Sequence, residues 1–125
     1  MNLILIVEDN EKNLKLVRDV LQFKGYRTLE AMTATEGLRL AREERPDLVL
    51  MDIQLPDIDG ITALGRLRAD PLTRKTPVVA VSASVMPDDQ QRIVASGFDA
   101  YVTKPINVKG FLETVERFIG KSKAD

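Results

Sequence analysis

In the stretch "DLVLMDIQLPDIDG" four apolar residues, Leu48 to Met51, run straight into the carboxylate of Asp52. A charge at the end of a buried strand is costly unless it is paired or has a task. One ordinary task is turn chemistry, because Asp favours strand exits and can hydrogen-bond the backbone just beyond. A second is nucleophilic: a carboxylate can accept a phosphoryl group as an acyl phosphate. Other polar residues stand at comparable exits. Glu8 and Asp9 follow "LILIV", Ser82 follows "VVAV", and Lys104, itself followed by Pro105, follows "DAYVT". Each has an everyday reading as well. Glu8 and Asp9 could simply precede a helix N-terminus, where acidic groups are favoured. Ser82 could be a turn hydroxyl and Lys104 a solvated charge. The chemistry therefore depends on whether the fold brings these exits together.

The elements that would do so alternate between strand-like and helix-like patterns five times, which points to an α/β domain with a mostly parallel sheet. "LILIV" at 3–7, "LVLM" at 48–51 and "VVAV" at 78–81 are continuous apolar runs, suited to strands covered on both faces. "YRTLEA" at 26–31 and "DAYVT" at 99–103 mix polar and apolar residues and suit edges. Right-handed crossovers between near neighbours then favour the order 2-1-3-4-5, a flavodoxin-like doubly wound (βα)5 sheet. Between the strands, Asn10 can cap a helix with a Leu14, Val17, Val20 and Leu21 stripe that Gly25 ends. "TATE", Thr33 to Glu36, is a capping box, and Pro46 follows that helix. Ile61, Leu64 and Leu67 mark a third helix. Val108, Phe111, Leu112, Val115, Phe118 and Ile119 follow a helical period up to Gly120. The helix after Pro87 offers only Ile93 and Val94 to a core, so it should be loosely held with a side free for a partner.

In such a sheet ligands bind beyond the carboxyl ends of the strands, where strand order reverses. That point lies between the first and third strands, and all the polar exits fall on its rim. Three carboxylates gathered there would repel and raise one another's pKa, so a cation should relieve them. The chain has no His and no Cys. Oxygen ligands alone select a hard ion, and Mg²⁺ needs only one or two protein carboxylates beside its waters. Ser82 and Lys104 can supply a hydrogen bond and a charge to phosphoryl oxygens, leaving Asp52 as the acceptor. Composition narrows the alternatives. With 125 residues the chain is one domain. The net charge of -1 gives no general attraction for nucleic acid or an acidic membrane. Absent cysteine removes disulfides and zinc-thiolate sites. The run Leu3 to Val7 is too short for a membrane span or a signal peptide, so a cytoplasmic protein is expected.

"ILIVEDN", "DLVLMDIQLPDIDG", "TPVVAVSAS" and "DAYVTKPI", in that order and spacing, resemble the CheY-like response-regulator receiver domains, and among these the DivK-like single-domain regulators. The resemblance covers residues 1–120, leaving "KSKAD" at 121–125 as a short tail with no output or DNA-binding domain. It implies that Asp52 is the phosphoacceptor. It implies that Asp9 binds Mg²⁺ directly and Glu8 through water, with Asp52 and the backbone carbonyl of Gln54 as further ligands. By the same resemblance Ser82 is the switch hydroxyl, where Thr is commoner, Lys104 contacts the phosphate, Tyr101 is the switch aromatic, and the Lys104–Pro105 bond is cis. Gln54 and Ser84 are expected to flank the path of hydrolytic water.

The function implied is a signalling switch in a two-component phosphorelay, not an enzyme in its own right. A histidine kinase or histidine phosphotransfer protein donates the phosphoryl group, since the chain has no His of its own. The downstream protein target is expected on the face near Tyr101. Other readings stay open at this level. A phosphoaspartate hydrolase of the haloacid-dehalogenase type needs a second Asp two residues after its nucleophile, where this chain has Gln54. A flavodoxin-type cofactor carrier would need a phosphate cradle where "EDNE" repels one. A degenerate receiver would be a passive interaction module.

Overall fold

β1 (Leu3–Val7), β3 (Leu48–Asp52) and β4 (Val78–Ser82) are buried along their whole length. β2 (Arg27–Ala31) and β5 (Ala100–Thr103) are largely part-exposed. Strands of the first kind must be covered on both faces, and strands of the second kind belong at edges. The computed structural model describes residues 2–83 and 86–119. It shows one five-stranded sheet, parallel throughout, in the order β2-β1-β3-β4-β5. Both the strand order and the edges are those the apolar patterns require.

Alternate strand residues build two cores. Leu5, Val7, Val49, Met51, Val78 and Ala80 face one side. They pack under α2 (Ala34–Glu44), α3 (Gly60–Ala69) and α4 (Pro87–Ala95), which contribute Ala34, Ala41, Ala63, Leu64, Leu67 and Ile93. Ile4, Ile6, Leu48, Leu50, Val79 and Val81 face the other side, under α1 (Glu11–Phe23) and α5 (Val108–Ile119). There Leu14, Val17, Leu21, Phe111 and Val115 close the layer. Helices on both faces leave the carboxyl ends of all five strands at one rim.

The helix punctuation acts much as its sequence suggests. Asn10 accepts a hydrogen bond from the Asn13 N–H, Thr33 from the Glu36 N–H and Asp59 from the Thr62 N–H. Each satisfies a donor that the first turn leaves free. The Glu36 carboxylate is engaged by Arg39. Gly25, at φ 91, turns the chain out of α1, and Arg45 makes the same left-handed turn after α2 at φ 49. Two valines depart from expectation. Val94 is 51% exposed and Val108 42%. In α4 only Ile93 is buried, and the neighbouring position falls about 100° round the helix, away from the sheet. Val108 opens α5, before the helix reaches the core at Phe111. Gly120 and the tail 121–125 lie outside the described residues. Among the described residues no helix is long and apolar enough to cross a membrane.

Candidate functional site

Asp52 is the last residue of β3, in register with Val81 of β4, and only 4% exposed. Its position is enforced from behind. Gly60 starts α3 directly against it, so a Cβ on Gly60 would lie 2.5 Å from the Asp52 carbonyl oxygen. The Gly60 N–H donates to the Ile53 carbonyl at 2.8 Å and closes the β3–α3 loop at its base. Any larger residue would push α3 off the strand end. The Asp52 carboxylate itself is doubly held. Oδ1 accepts the Gln54 backbone N–H at 3.0 Å, and Oδ2 accepts from Lys104 Nζ at 2.9 Å.

Lys104 follows β5, and the Lys104–Pro105 peptide bond is cis. Its backbone N–H donates to the Ser82 carbonyl at 2.9 Å, fixing where the side chain starts. The ammonium then crosses the mouth of β4 and contacts Glu8 Oε1 as well, again at 2.9 Å. Glu8, directly after β1, is buried at 4% exposure, and its Oε2 accepts the Asn10 N–H at 3.2 Å. Burial first, and then closeness to Asp52, push the Glu8 carboxyl up to about 7 from 4.5, although Lys104 and the Asn10 N–H pull it down. Desolvation lowers Lys104, yet its bonds to Glu8 and Asp52 outweigh that and hold the ammonium above its ordinary value.

Asp9 is exposed on the rim beside these groups. One carboxylate oxygen each from Glu8, Asp9 and Asp52 lies within 4.8 Å of the others. Such an all-oxygen set, with two members buried and one open to solvent, fits a hard divalent cation that keeps several waters. Lys104 already neutralises part of the charge, so the site tolerates three acids before any ion arrives. The sequence pattern suggested a phosphate contact for this lysine but not its bridge between two carboxylates.

The remaining candidate residues spread around this centre. Ser82 ends β4, buried at 6% exposure and in register with Thr103. Gln54 supplies its backbone to Asp52 and leaves its side chain exposed. Ser84 lies outside the described residues. Tyr101 stands apart from the carboxylates. It faces α4, packs on the core beside Ala80 and donates its hydroxyl to Gln90 Oε1 at 3.0 Å. With Pro87, Gln91, Val94 and Ala95 it lines a groove of about 430 Å³ between α4 and β5. Sequence reasoning passed over Asp57, which bonds the first turn of α2. No local spacing signals a cap contributed from 22 residues away.

Comparison with known proteins bears on the family and the fold. The family model of the response regulator receiver domain matches residues 4–116. The polar-differentiation response regulator DivK of Brucella anthropi is 47% identical over 117 residues, 94% of this chain and 95% of that protein. Among solved structures, a receiver domain of a sensor histidine kinase from Pseudomonas aeruginosa superposes with a TM-score of 0.88 at 31% identity. It covers 96% of this chain and 98% of the other, and has a magnesium ion coordinated in its active site cleft. The phosphorylated cyanobacterial phytochrome response regulator RcpA gives a TM-score of 0.79 at 28% identity, covering 94% of each chain.

Proposed function

The chain belongs to the response regulator receiver domain family, and from that premise we propose that it is a phosphorelay switch whose phosphoacceptor is Asp52. The observation that carries this reading is the setting of the Asp52 carboxylate. It is buried at the sheet's switch point, aimed by the Gln54 N–H and Lys104, and bordered by the oxygens of Glu8 and Asp9. An Asp52 oxygen attacks the phosphorus of a phosphohistidine on a partner kinase or phosphotransfer protein. The O–P bond forms as the P–N bond breaks, and the imidazole leaves.

Asp9, Asp52 and the backbone carbonyl of Gln54 would hold Mg²⁺, with Glu8 acting through water. When bound, the ion neutralises charge on the phosphoryl oxygens during transfer. Lys104 is released from Asp52 to contact the new phosphoryl group, and Ser82 donates a hydrogen bond to it. The altered contacts of Ser82 and Lys104 then favour a second arrangement of α4 and Tyr101, because a ligand shifts an equilibrium only by its differential contacts with the two states. The groove between α4 and β5 is the proposed landing place for a downstream protein.

Acetyl phosphate labelling with Mg²⁺ tests the reading. Wild-type protein should form a base-labile acyl phosphate, and folded Asp52→Asn protein should form none. Equal labelling of the two would overturn the assignment. A folded wild-type protein that is not labelled at all would instead identify a degenerate receiver.

A further inference from the structure

Asp57 lies at the tip of the β3–α3 loop, yet its carboxylate serves another element. Oδ1 accepts the Ala34 N–H at 2.9 Å, and Oδ2 accepts the Thr35 N–H at 2.8 Å and the Thr35 hydroxyl at 2.5 Å. Two of the free donors in the first turn of α2 are thereby taken up from a distant loop. A third, on Glu36, is already satisfied by Thr33, the helix's own cap. The bond from the Thr35 hydroxyl comes first among the influences that hold the Asp57 carboxyl well below its ordinary range. Thr33 therefore leaves the Ala34 and Thr35 N–H groups to Asp57, an acid contributed by another element. The same bonds that complete the helix start also tie the β3–α3 loop to it.

The consequence lies on the loop side. Residues 53–59 carry the Gln54 backbone that meets Asp52. The base of this loop is closed by the Gly60–Ile53 hydrogen bond, and its depth is set by Leu55 and Ile58, which pack against the core. Apolar contacts are non-directional. They hold the loop down without fixing its sideways position over the strand ends. The Asp57 clasp is directional, with two backbone donors and a hydroxyl fixing both carboxylate oxygens. It is anchored on α2, whose Gly37 sits so close to β1 that an added Cβ would lie 2.7 Å from Val7 Cγ2. The anchor is therefore tied to the strand that leads into Glu8.

We propose that Asp57 is a positioning residue for the phosphoacceptor site: by clasping the start of α2 it fixes the β3–α3 loop sideways, so that the Gln54 backbone stays in register with Asp52. This rests on the reading of Asp52 and its Mg²⁺ site given above, but the clasp itself can be tested without any phosphodonor. Asp57→Ala removes the clasp, and Asp57→Asn keeps one acceptor for the α2 amides. Thr35→Val removes only the hydroxyl. In the presence of chelator, amide exchange of Gln54 and Gly60 should speed up about tenfold in Asp57→Ala, and less in Asp57→Asn and Thr35→Val. The Mg²⁺ dissociation constant, read by amide shifts, should rise several-fold in the same order. Slowed acetyl phosphate labelling should follow that order too.

A purely structural role predicts something different: a lower melting temperature with the exchange of Gln54 and the Mg²⁺ affinity both unchanged. That result would overturn the proposal. If wild-type protein is never labelled on Asp52, the functional reading fails, and the exchange of Gln54 still decides the clasp. Should Asp57→Ala not fold, Asp57→Asn and Thr35→Val carry the same comparison, and their Gln54 exchange matching wild type would sink it.

Discussion

Three helices that start at the rim, α1, α2 and α3, each begin on a side-chain oxygen: Asn10, Thr33 and Asp59. The fourth, α4, begins at Met86, which has no such oxygen and makes no side-chain cap. The contrast continues beneath them. α3 buries Gly60, Ala63, Leu64 and Leu67, whereas α4 buries Ile93 alone. Elements with few buried contacts open at low free-energy cost, while the core around them stays closed. The region holding Asp52 is thus fixed, and the region beside Tyr101 is cheap to rearrange. A switch needs both properties, in separate places.

The strongest way to break this contrast is to remove the apolar anchor of each helix. Leu64→Ala should cost about 2–5 kcal/mol of global stability, through lost burial and a cavity among closely packed neighbours. Ile93→Ala deletes a comparable side chain, but the loss should appear chiefly as fast amide exchange across residues 87–95. Chemical denaturation of the two variants, read alongside hydrogen exchange, makes the comparison. If Ile93→Ala lowers the stability of every strand as far as Leu64→Ala does, α4 is part of the rigid unit and the distinction fails.

Lys104→Ala attacks the fixed region from its electrostatic side. Two buried carboxylates would lose their shared cation. Losing one partner of a buried pair is strongly destabilising, but this ammonium is part-exposed, so about 2–3 kcal/mol is expected at pH 8 without Mg²⁺. Excess Mg²⁺ should restore much of the loss, since an ion that binds only the folded state stabilises it by mass action. Thermal unfolding of the variant across a Mg²⁺ titration measures this. Equal melting temperatures for wild-type and variant protein in chelator would show that the bridge contributes nothing.

Most of the fixed region was legible in the sequence because its signals are local. "LILIV" and "LVLM" announce doubly covered strands, and the residue after each apolar run is by necessity at the rim. From strand order alone, Glu8, Asp9 and Asp52 had to meet. The less legible features depend on packing between distant segments. Val94 looks apolar in its own helix, but whether it is buried depends on how α4 meets the sheet, and it lies 51% exposed. The bridge of Lys104 to Glu8 requires the side chain to cross the end of β4. Asp57 reads as a loop acid until α2 is placed beside it.

An effect of similar size reports on the fixed region through pH. The Glu8 carboxyl titrates at about 7 in the folded chain against 4.5 ordinarily. Between those values the folded state holds a proton that the unfolded state has released. Stability contributed by this group therefore falls as pH rises from about 4.5 to about 7, and levels off above. The loss is on the order of 3 kcal/mol. Glu8→Gln should flatten that part of the curve and make the metal-free protein more stable than wild type at pH 8, while weakening Mg²⁺ binding. Denaturant midpoints at pH 5 and pH 8 in chelator test this. A wild-type curve that climbs through the window to the same extent as that of Glu8→Gln would refute the assigned titration.

The finest test sharpens the contrast by giving α4 what the other helices have. Met86 is 61% exposed, so replacing it forfeits little burial. In Met86→Ser the new hydroxyl can accept the N–H of Asp88 in the first turn, for a gain of about 0.5–1 kcal/mol. Amides at residues 88–90 should then exchange several-fold more slowly in the unphosphorylated protein. Because phosphorylation can move α4 only by the difference in contacts it makes in the two arrangements, a helix held more firmly in one of them should respond less. The change in exchange over 87–95 on phosphorylation should shrink, while labelling of Asp52 stays unaltered. Slower exchange with an undiminished response would mean that the looseness of α4 plays no part in signalling. Unchanged exchange would mean that the missing cap is not the source of that looseness, which must then lie in the single anchor at Ile93.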